Sequence, residues 1–394
     1  MLKNVDFSNL QDATAAHEAA CILISGLCSA GKSSFVSALW GDAELVPTAV
    51  RDCTQTNTLV RAPRLGEPEQ ALRIRFLPLE RALKYALGDL SFYRLAGLVH
   101  DTLGPLGPRL DEGPPAQQLR LCLDAVQQIF RERRDLAVLQ EPLNDEMDKL
   151  EQFLSFLESA AFKAGETVEL PWSRRREELM GRRRPDGRTV DVGHLLAYQH
   201  VELVRASQRW GACSHAPVLI DSPWIPTFHN ARRADLILEQ AQTADLLVIV
   251  ALPERFEPEP WVKEAFKRRP ELRSRTLLVF NQIDTVDVTA LFARGGFAEM
   301  YAENLLKLRE VGILEENVLM SCARLPFLRL CVQDELVHAR AAKLETTLAG
   351  IRKRCVGRAE TPFLRKLLDA CQALDGGMET IRLRLMHRAA GRVV

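Results

Sequence analysis

The sequence predicts an α/β fold built on a mostly parallel sheet, with a helical insertion and helices at its C-terminal end. Three observations carry this reading. Residues 21–25 (CILIS) form an apolar run that stops at Gly26, and residues 33–40 (SSFVSALW) then place Phe35, Val36 and Leu39 at helical spacing, so a strand passes through a glycine loop into a helix. Residues 218–220 (VLI), 246–250 (LLVIV) and 277–280 (LLVF) are continuous apolar runs, as expected of strands covered on both faces. The long stretches around them repeat their apolar residues every three or four positions.

Taken in order, the first strand and helix are followed by two further strands at 59–61 and 72–76, the second alternating as LRIRF. After Pro78 the character changes, and residues 80–196 read as helical. Leu119, Leu123, Val126, Ile129 and Phe130 form one stripe and Met147, Leu150, Leu154, Leu157 and Ala161 another, expected to join near Pro142 as a hairpin. Residues 104–115, rich in Gly and Pro, read as a loop. Strands return at 201–204 (VELV) and in the three apolar runs, with 232–243 as a crossover helix. Beyond 333 the chain is helical again: Leu364, Leu367, Leu368, Cys371 and Leu374 make one stripe, then Met378, Ile381 and Leu385 follow Gly376 and Gly377. The expected division is therefore 1–79 with 197–332 as the sheet domain, 80–196 as a helical insertion and 333–394 as a C-terminal helical segment.

Composition narrows the function classes. Lys plus Arg and Asp plus Glu are both 52, so no global field draws the 394-residue chain to nucleic acid or an anionic membrane. The nine cysteines are scattered without a CxxC pair, which argues against a disulfide framework and a zinc site and fits a reducing cytosol. The first 20 residues lack a continuous apolar stretch, so no secretory signal is expected, and the run 246–252 is too short to span a bilayer. A soluble, cytoplasmic protein is the expectation.

The chemistry is concentrated in a few motifs. Residues 26–33 (GLCSAGKS) match the P-loop pattern GxxxxGK[ST], in which glycines let successive backbone N–H groups turn onto phosphates at a helix N-terminus. Gly26, Cys28, Ser29, Ala30, Gly31, Lys32, Ser33 and Ser34 are the expected phosphate cradle, with Lys32 on the β and γ phosphates and the Ser33 hydroxyl on Mg²⁺. In 219–223 (LIDSP), Asp221 ends a buried strand, where a carboxylate can hold a metal-bound water, although a turn or N-cap aspartate would look the same.

Residues 281–284 (NQID) end another strand and lie close to the NKxD that reads guanine. The carboxylate of Asp284 would accept from the N1–H and exocyclic amine of guanine, Asn281 would support the other edge, and Gln282 stands where the usual Lys packs along the base. The alternative is an ordinary strand-end Asn and Asp. Residues 321–323 (SCA) fall where a loose fifth GTPase motif would lie. Between loop and sheet, residues 47–58 (PTAVRDCTQTNT) carry several threonines able to ligate Mg²⁺, of which Thr54 is chosen, against a polar loop with no role. Together these motifs predict a P-loop GTPase domain using GTP and Mg²⁺, with GTP and GDP as ligands.

The same residues resemble the dynamin-like GTPases, in particular bacterial dynamin-like proteins and mitofusins, over roughly 20–64 and 198–330. SAGKSS (29–34), LWGDAELVP followed by Thr54, then VELVRAS, VLIDSP, TADLLVIV and NQID follow that family's order. The resemblance implies that Thr54 is the metal-coordinating threonine of the first switch, that Lys32, Ser29 and Thr54 face the reacting phosphate, and that GTPase domains of two copies or two homologues meet across the nucleotide. Three departures stand out. Trp224 occupies the glycine position of the family's DxxG, Cys28 stands where many dynamins carry a catalytic Gln, and the helical parts are short and lack an apolar membrane paddle.

Lesser signals remain. Residues 172–188 (WSRRREELMGRRRPDGR) hold seven arginines against three acids, either a solvated loop or a local contact for anionic lipid, RNA or an acidic partner, which leaves peripheral membrane association open; no specific nucleic-acid binding is expected. His229 lies in the expected second switch, where it positions water or is incidental. A nucleotide-dependent binding module that does not hydrolyse GTP is the rival reading, resting on Trp224 and Cys28; a P-loop kinase or ATPase is disfavoured by NQID.

Overall fold

The strands are β1 (Cys21–Gly26), β2 (Asn57–Arg61), β3 (Gln70–Phe76), β4 (Thr167–Leu170), β5 (Arg182–Arg183), β6 (Thr189–Val190), β7 (Tyr198–Arg205), β8 (Val218–Asp221), β9 (Leu246–Ala251), β10 (Thr276–Phe280) and β11 (Val318–Met320). The helices are α1 (Lys32–Trp40), α2 (Ala137–Glu158), α3 (Arg175–Leu179), α4 (Ala231–Thr243), α5 (Pro260–Arg268), α6 (Phe297–Val311), α7 (Arg324–Leu330), α8 (Asp334–Cys355) and α9 (Met378–Ala390). This computed structural model describes residues 19–26, 30–46, 56–83, 137–179, 182–183, 189–190, 193–210, 216–223, 231–253, 258, 260–285, 297–355, 365–366, 369–370, 373 and 375–390, with helical positions 117, 120–121, 124 and 128 besides.

Nine strands form one sheet in the order β11-β10-β9-β1-β8-β2-β7-β3-β4. β1 lies parallel between β8 and β9, β10 is parallel to β9 and to β11, and β2 is parallel to β7. The pairs β2–β8, β3–β7 and β3–β4 are antiparallel. The fold is thus α/β with a mostly parallel sheet, as the apolar runs predict. β1 and β9 are buried at every residue because helices cover both faces, and each fully buried Ile, Leu or Val there contributes roughly 1.5–3 kcal/mol of transfer free energy.

One face carries α1, α2 and α9, and the other α4, α5, α6 and α8. From β1 the chain later lays strands on either side, so the strand order turns about β1, the place where open α/β sheets form a crevice beyond their carboxyl ends.

Three expectations change. Residues 80–196 are not wholly helical: β4 extends the sheet edge along β3, and β5 pairs with β6 in a separate two-stranded ribbon. β4 escapes a periodicity reading because it has four residues that alternate exposed and half-buried, with no apolar run. α2 continues through Pro142, where a hairpin turn is expected, and among its described side chains the most buried is Phe153, outside the expected stripe, whereas Ala161 lies exposed past the helix end.

The C-terminal segment, finally, is built into the sheet domain. Met378, Ile381 and Leu385 of α9 are fully buried in the same cluster as Phe35 and Leu39 of α1, which makes the predicted stripe a core-facing one.

Candidate functional site

β1 ends at Gly26 with φ +143°, and a Cβ there would stand 1.9 Å from the Val250 carbonyl oxygen of the neighbouring β9, so only glycine fits. After the loop, Gly31 takes the left-handed conformation (φ +82°) as the residue before α1, and Phe35 N–H already donates to its carbonyl at 2.9 Å. Lys32, Ser33 and Ser34 are buried in the first turn. The Lys32 Nζ folds back and donates to Gly26 O at 2.8 Å, tying the two ends of the loop together. Of the expected cradle, Gly26, Ala30, Gly31, Lys32, Ser33 and Ser34 sit at this strand-to-helix turn, whereas Cys28 and Ser29 lie outside the described residues.

β8, adjacent to β1, brings Asp221 to the same rim. The Ser33 hydroxyl donates to Asp221 Oδ2 at 2.9 Å, and the Asp221 residue is 0% exposed. Thr54 lies outside the described residues, as do Trp224 and His229. Thr56, two residues before the Thr58 that pairs with Asp221 across β2–β8, is buried, and its hydroxyl has no hydrogen-bond partner among the described residues. Ser222 Oγ is buried in the same condition. Hydroxyl and carboxylate oxygens of this kind fit a hard cation such as Mg²⁺, which takes one or two protein ligands and completes its shell with phosphate and water. Three threonines at alternate positions look alike in sequence; the unbonded hydroxyl sets Thr56 apart from the equally buried Thr58.

The third strand-end is that of β10. Asn281 donates through its own N–H to Ala251 O at 2.8 Å and through Nδ2 to Ala30 O at 2.8 Å, while its Oδ1 accepts from Ala323 N–H at 2.9 Å. One buried carboxamide therefore staples the glycine loop to the segment after β11. A Cβ on Gly31 would lie 2.7 Å from Asn281 Nδ2 and 3.4 Å from Gln282 Nε2, which shows how closely both side chains approach the loop. Gln282 adopts φ +60°, a left-handed conformation uncommon outside glycine, and this turns the chain so that Asp284 re-enters the rim.

Asp284 is held on both sides. Cys322 Sγ–H donates to its Oδ1 at 3.0 Å, and Arg340 of α8 forms an ion pair and hydrogen bond with Oδ2. Burial first, and then the neighbouring Asp284 carboxylate, push the Cys322 thiol far above its ordinary value, so it stays protonated and able to donate. The Arg324 guanidinium, at the start of α7 and 5.0 Å from the Phe327 ring centroid, has its pKa lowered by burial and then by the charge of Arg340. Sequence patterns raised 321–323 only weakly and gave no sign of Arg340, since a helical arginine 56 residues beyond Asp284 carries no motif.

The arginine-rich stretch is partly absorbed by the fold. Arg174 pairs with Glu178 at 2.5 Å, and the Arg175 guanidinium lies 4.6 Å from the Trp172 ring centroid. No helix among the described residues is long and apolar enough to cross a membrane.

No family model matches the sequence. No curated protein matches it either. Among solved structures, the chain is similar at 13% identity to a bacterial dynamin from an oligomerised pair described as sensing and tethering membranes over long range, with a TM-score of 0.42 over 99% of this chain and 59% of that one. A second structure of an oligomerised bacterial dynamin pair is similar at 13% identity and a TM-score of 0.41, over 99% of this chain and 58% of that one. The chain thus spans less than two thirds of the bacterial dynamins it resembles.

Proposed function

We propose that the protein binds GTP with Mg²⁺ at the carboxyl-end rim of β1, β8, β10 and β11, and hydrolyses it as a dynamin-like GTPase. The observation that supports this best is the Asn281 carboxamide, which bonds to the glycine loop at Ala30 and to Ala323 at once and so joins the phosphate side of the rim to the base side. In this reading the backbone N–H groups at the start of α1 and the Lys32 ammonium neutralise the phosphates. Ser33, Asp221 and Thr54 would hold Mg²⁺, directly or through water, with Thr56 as the neighbouring candidate. The ion supplies charge neutralisation at the phosphate oxygens. Ser29 and Thr54 orient the attacking water, and Asp284, kept in place by Cys322, accepts from guanine.

Dimerisation through the GTPase domains is implied by the resemblance of the motif series to dynamin-like proteins, and peripheral contact with membranes rests on the arginines of 172–188; both belong to this proposal. Residues 1–79 with 197–332 form its GTPase unit.

Competition of GTP and ATP for one fluorescent nucleotide tests the base assignment, and equal affinity would remove it. Single-turnover hydrolysis at high protein concentration tests the chemistry. Tight GTP binding without turnover would favour a binding module instead, a reading to which Trp224 in the second switch gives weight.

A further inference from the structure

The Asp284 side chain is 0% exposed although it stands at the rim where a base would reach it. Two described side chains bond to it, and they differ in kind. Cys322 is fixed: it is itself 0% exposed, and its backbone N–H donates to Gly376 O at 2.9 Å. Arg340 is the tip of a long side chain, 30% exposed, on a helix that sits on the domain through a narrow stripe. In α8 only Val337, Leu344 and Thr347 are buried among the described side chains, while Glu335, His338, Lys343, Glu345 and Thr346 face solvent.

The chemistry of the two contestants for Asp284 is alike. Arg340 donates one Nη1–H to Oδ2 while Oδ1 accepts from Cys322, and the N1–H and exocyclic amine of guanine are N–H donors that seek the same oxygens. Arg324 stands close enough to repel Arg340, so the pair is under opposing charge as well as attraction.

We infer that Arg340 occupies the base-reading carboxylate in place of guanine, so that guanine and Arg340 compete for Asp284 and base binding releases α8 from the rim. This rests on the assignment of Asp284 to guanine. A nucleotide then binds only the fraction of molecules in which Arg340 has left, and the observed affinity falls by that fraction. Simple electrostatics predicts the opposite sign, because removing a cation near an anionic ligand weakens binding.

The test measures binding of fluorescent GDP to the full chain, its displacement by ADP and by inorganic pyrophosphate, in the wild type, Arg340→Gln, Arg340→Lys and Asp284→Ala. Arg340→Gln is expected to tighten GDP roughly tenfold, the size of a part-buried ion pair, and to leave pyrophosphate unchanged or weaker. Arg340→Lys, which keeps the charge on a shorter reach, should fall between. Unchanged or weaker GDP binding overturns the inference, as does an equal gain for pyrophosphate. If GDP is preferred over ADP, and Asp284→Ala abolishes that preference, while Arg340→Gln does not tighten GDP, the base assignment stands and the Arg340 competition falls. If neither the wild type nor the variants distinguish GDP from ADP, both fall together. A wild-type measurement keeps the idea open to refutation should the variants not fold: hydrogen exchange across 334–355 should speed up with GDP and stay unchanged with pyrophosphate, and equal protection in the two overturns it.

Discussion

The two ends of the sheet are built on different principles. On the side of β1, β9 and β10 every strand residue is buried, the pairings are parallel, and the candidate ligand groups sit at strand ends or in the first turn of α1 rather than on a strand face. On the side of β7, β3 and β4 the pairings of β3 are antiparallel, half-buried residues interrupt the buried ones, and a charged lattice runs across the strand faces: Arg61 to Glu67 and Glu202 at 2.5 Å each, and Arg73 to Glu67 and Glu169 at 3.0 Å each. The first end spends its side chains on holding backbone in place and leaves chemistry to the rim. The second pairs its charged side chains with one another across the strand faces.

The sharpest way to break this contrast is at the glycine where β1 leaves the sheet. Gly26→Ala should destabilise the protein by more than about 4 kcal/mol or prevent folding, because the clash is with backbone that cannot move aside; a melting temperature within a few degrees of wild type would show that β9 yields. Next in size is Lys32→Ala, expected to weaken GTP binding by roughly a hundredfold while the melting temperature changes little, since its bond to Gly26 O is one hydrogen bond among many. Equal binding by calorimetry would move the phosphate site away from this loop.

The other end should respond to acid. His200 of β7 is buried and its pKa is lowered to about 4, by desolvation first, with Arg75 adding to the effect and Glu202 opposing it. The folded state therefore binds the proton less readily than the unfolded chain, whose His titrates near 6.5. Stability is full above about pH 6.5 and declines as pH falls toward 4, by about 2 kcal/mol at pH 5. His200→Gln should flatten that slope in denaturant midpoints measured from pH 7 to 5, and an unchanged slope would assign it to other groups. The smallest effect belongs to the lattice: Arg73→Ala should cost under about 1 kcal/mol and lose what remains of that cost in high salt, as half-exposed ion pairs do.

The same contrast explains what could be read in advance. β8, β9 and β10 were legible as apolar runs because both faces are covered, and the glycine loop, Asp221 and 281–284 were legible because fixed spacings carry them. β4 was not, since a four-residue edge strand with two exposed side chains has no periodic signature. α1 shows the converse difficulty: it is buried along its whole length although three serines interrupt its apolar residues, because α9 and the sheet enclose it. Arg340 and Cys322 reach Asp284 through contacts that cross 56 and 38 residues of sequence, a distance at which only the assembled packing speaks.

The burial of α9 beneath α1 has a bearing on how the chain is made. α1 is made long before α9, yet the floor under it is Met378, Ile381 and Leu385, and the carbonyl that fixes Cys322 beside Asp284 is that of Gly376. A chain lacking Gly376 and α9 would carry every motif and still lack the support of both the glycine loop and Asp284. The rim is thus complete only once α9 has been made and packed beneath α1, and until then the underside of α1 stays open to chaperones.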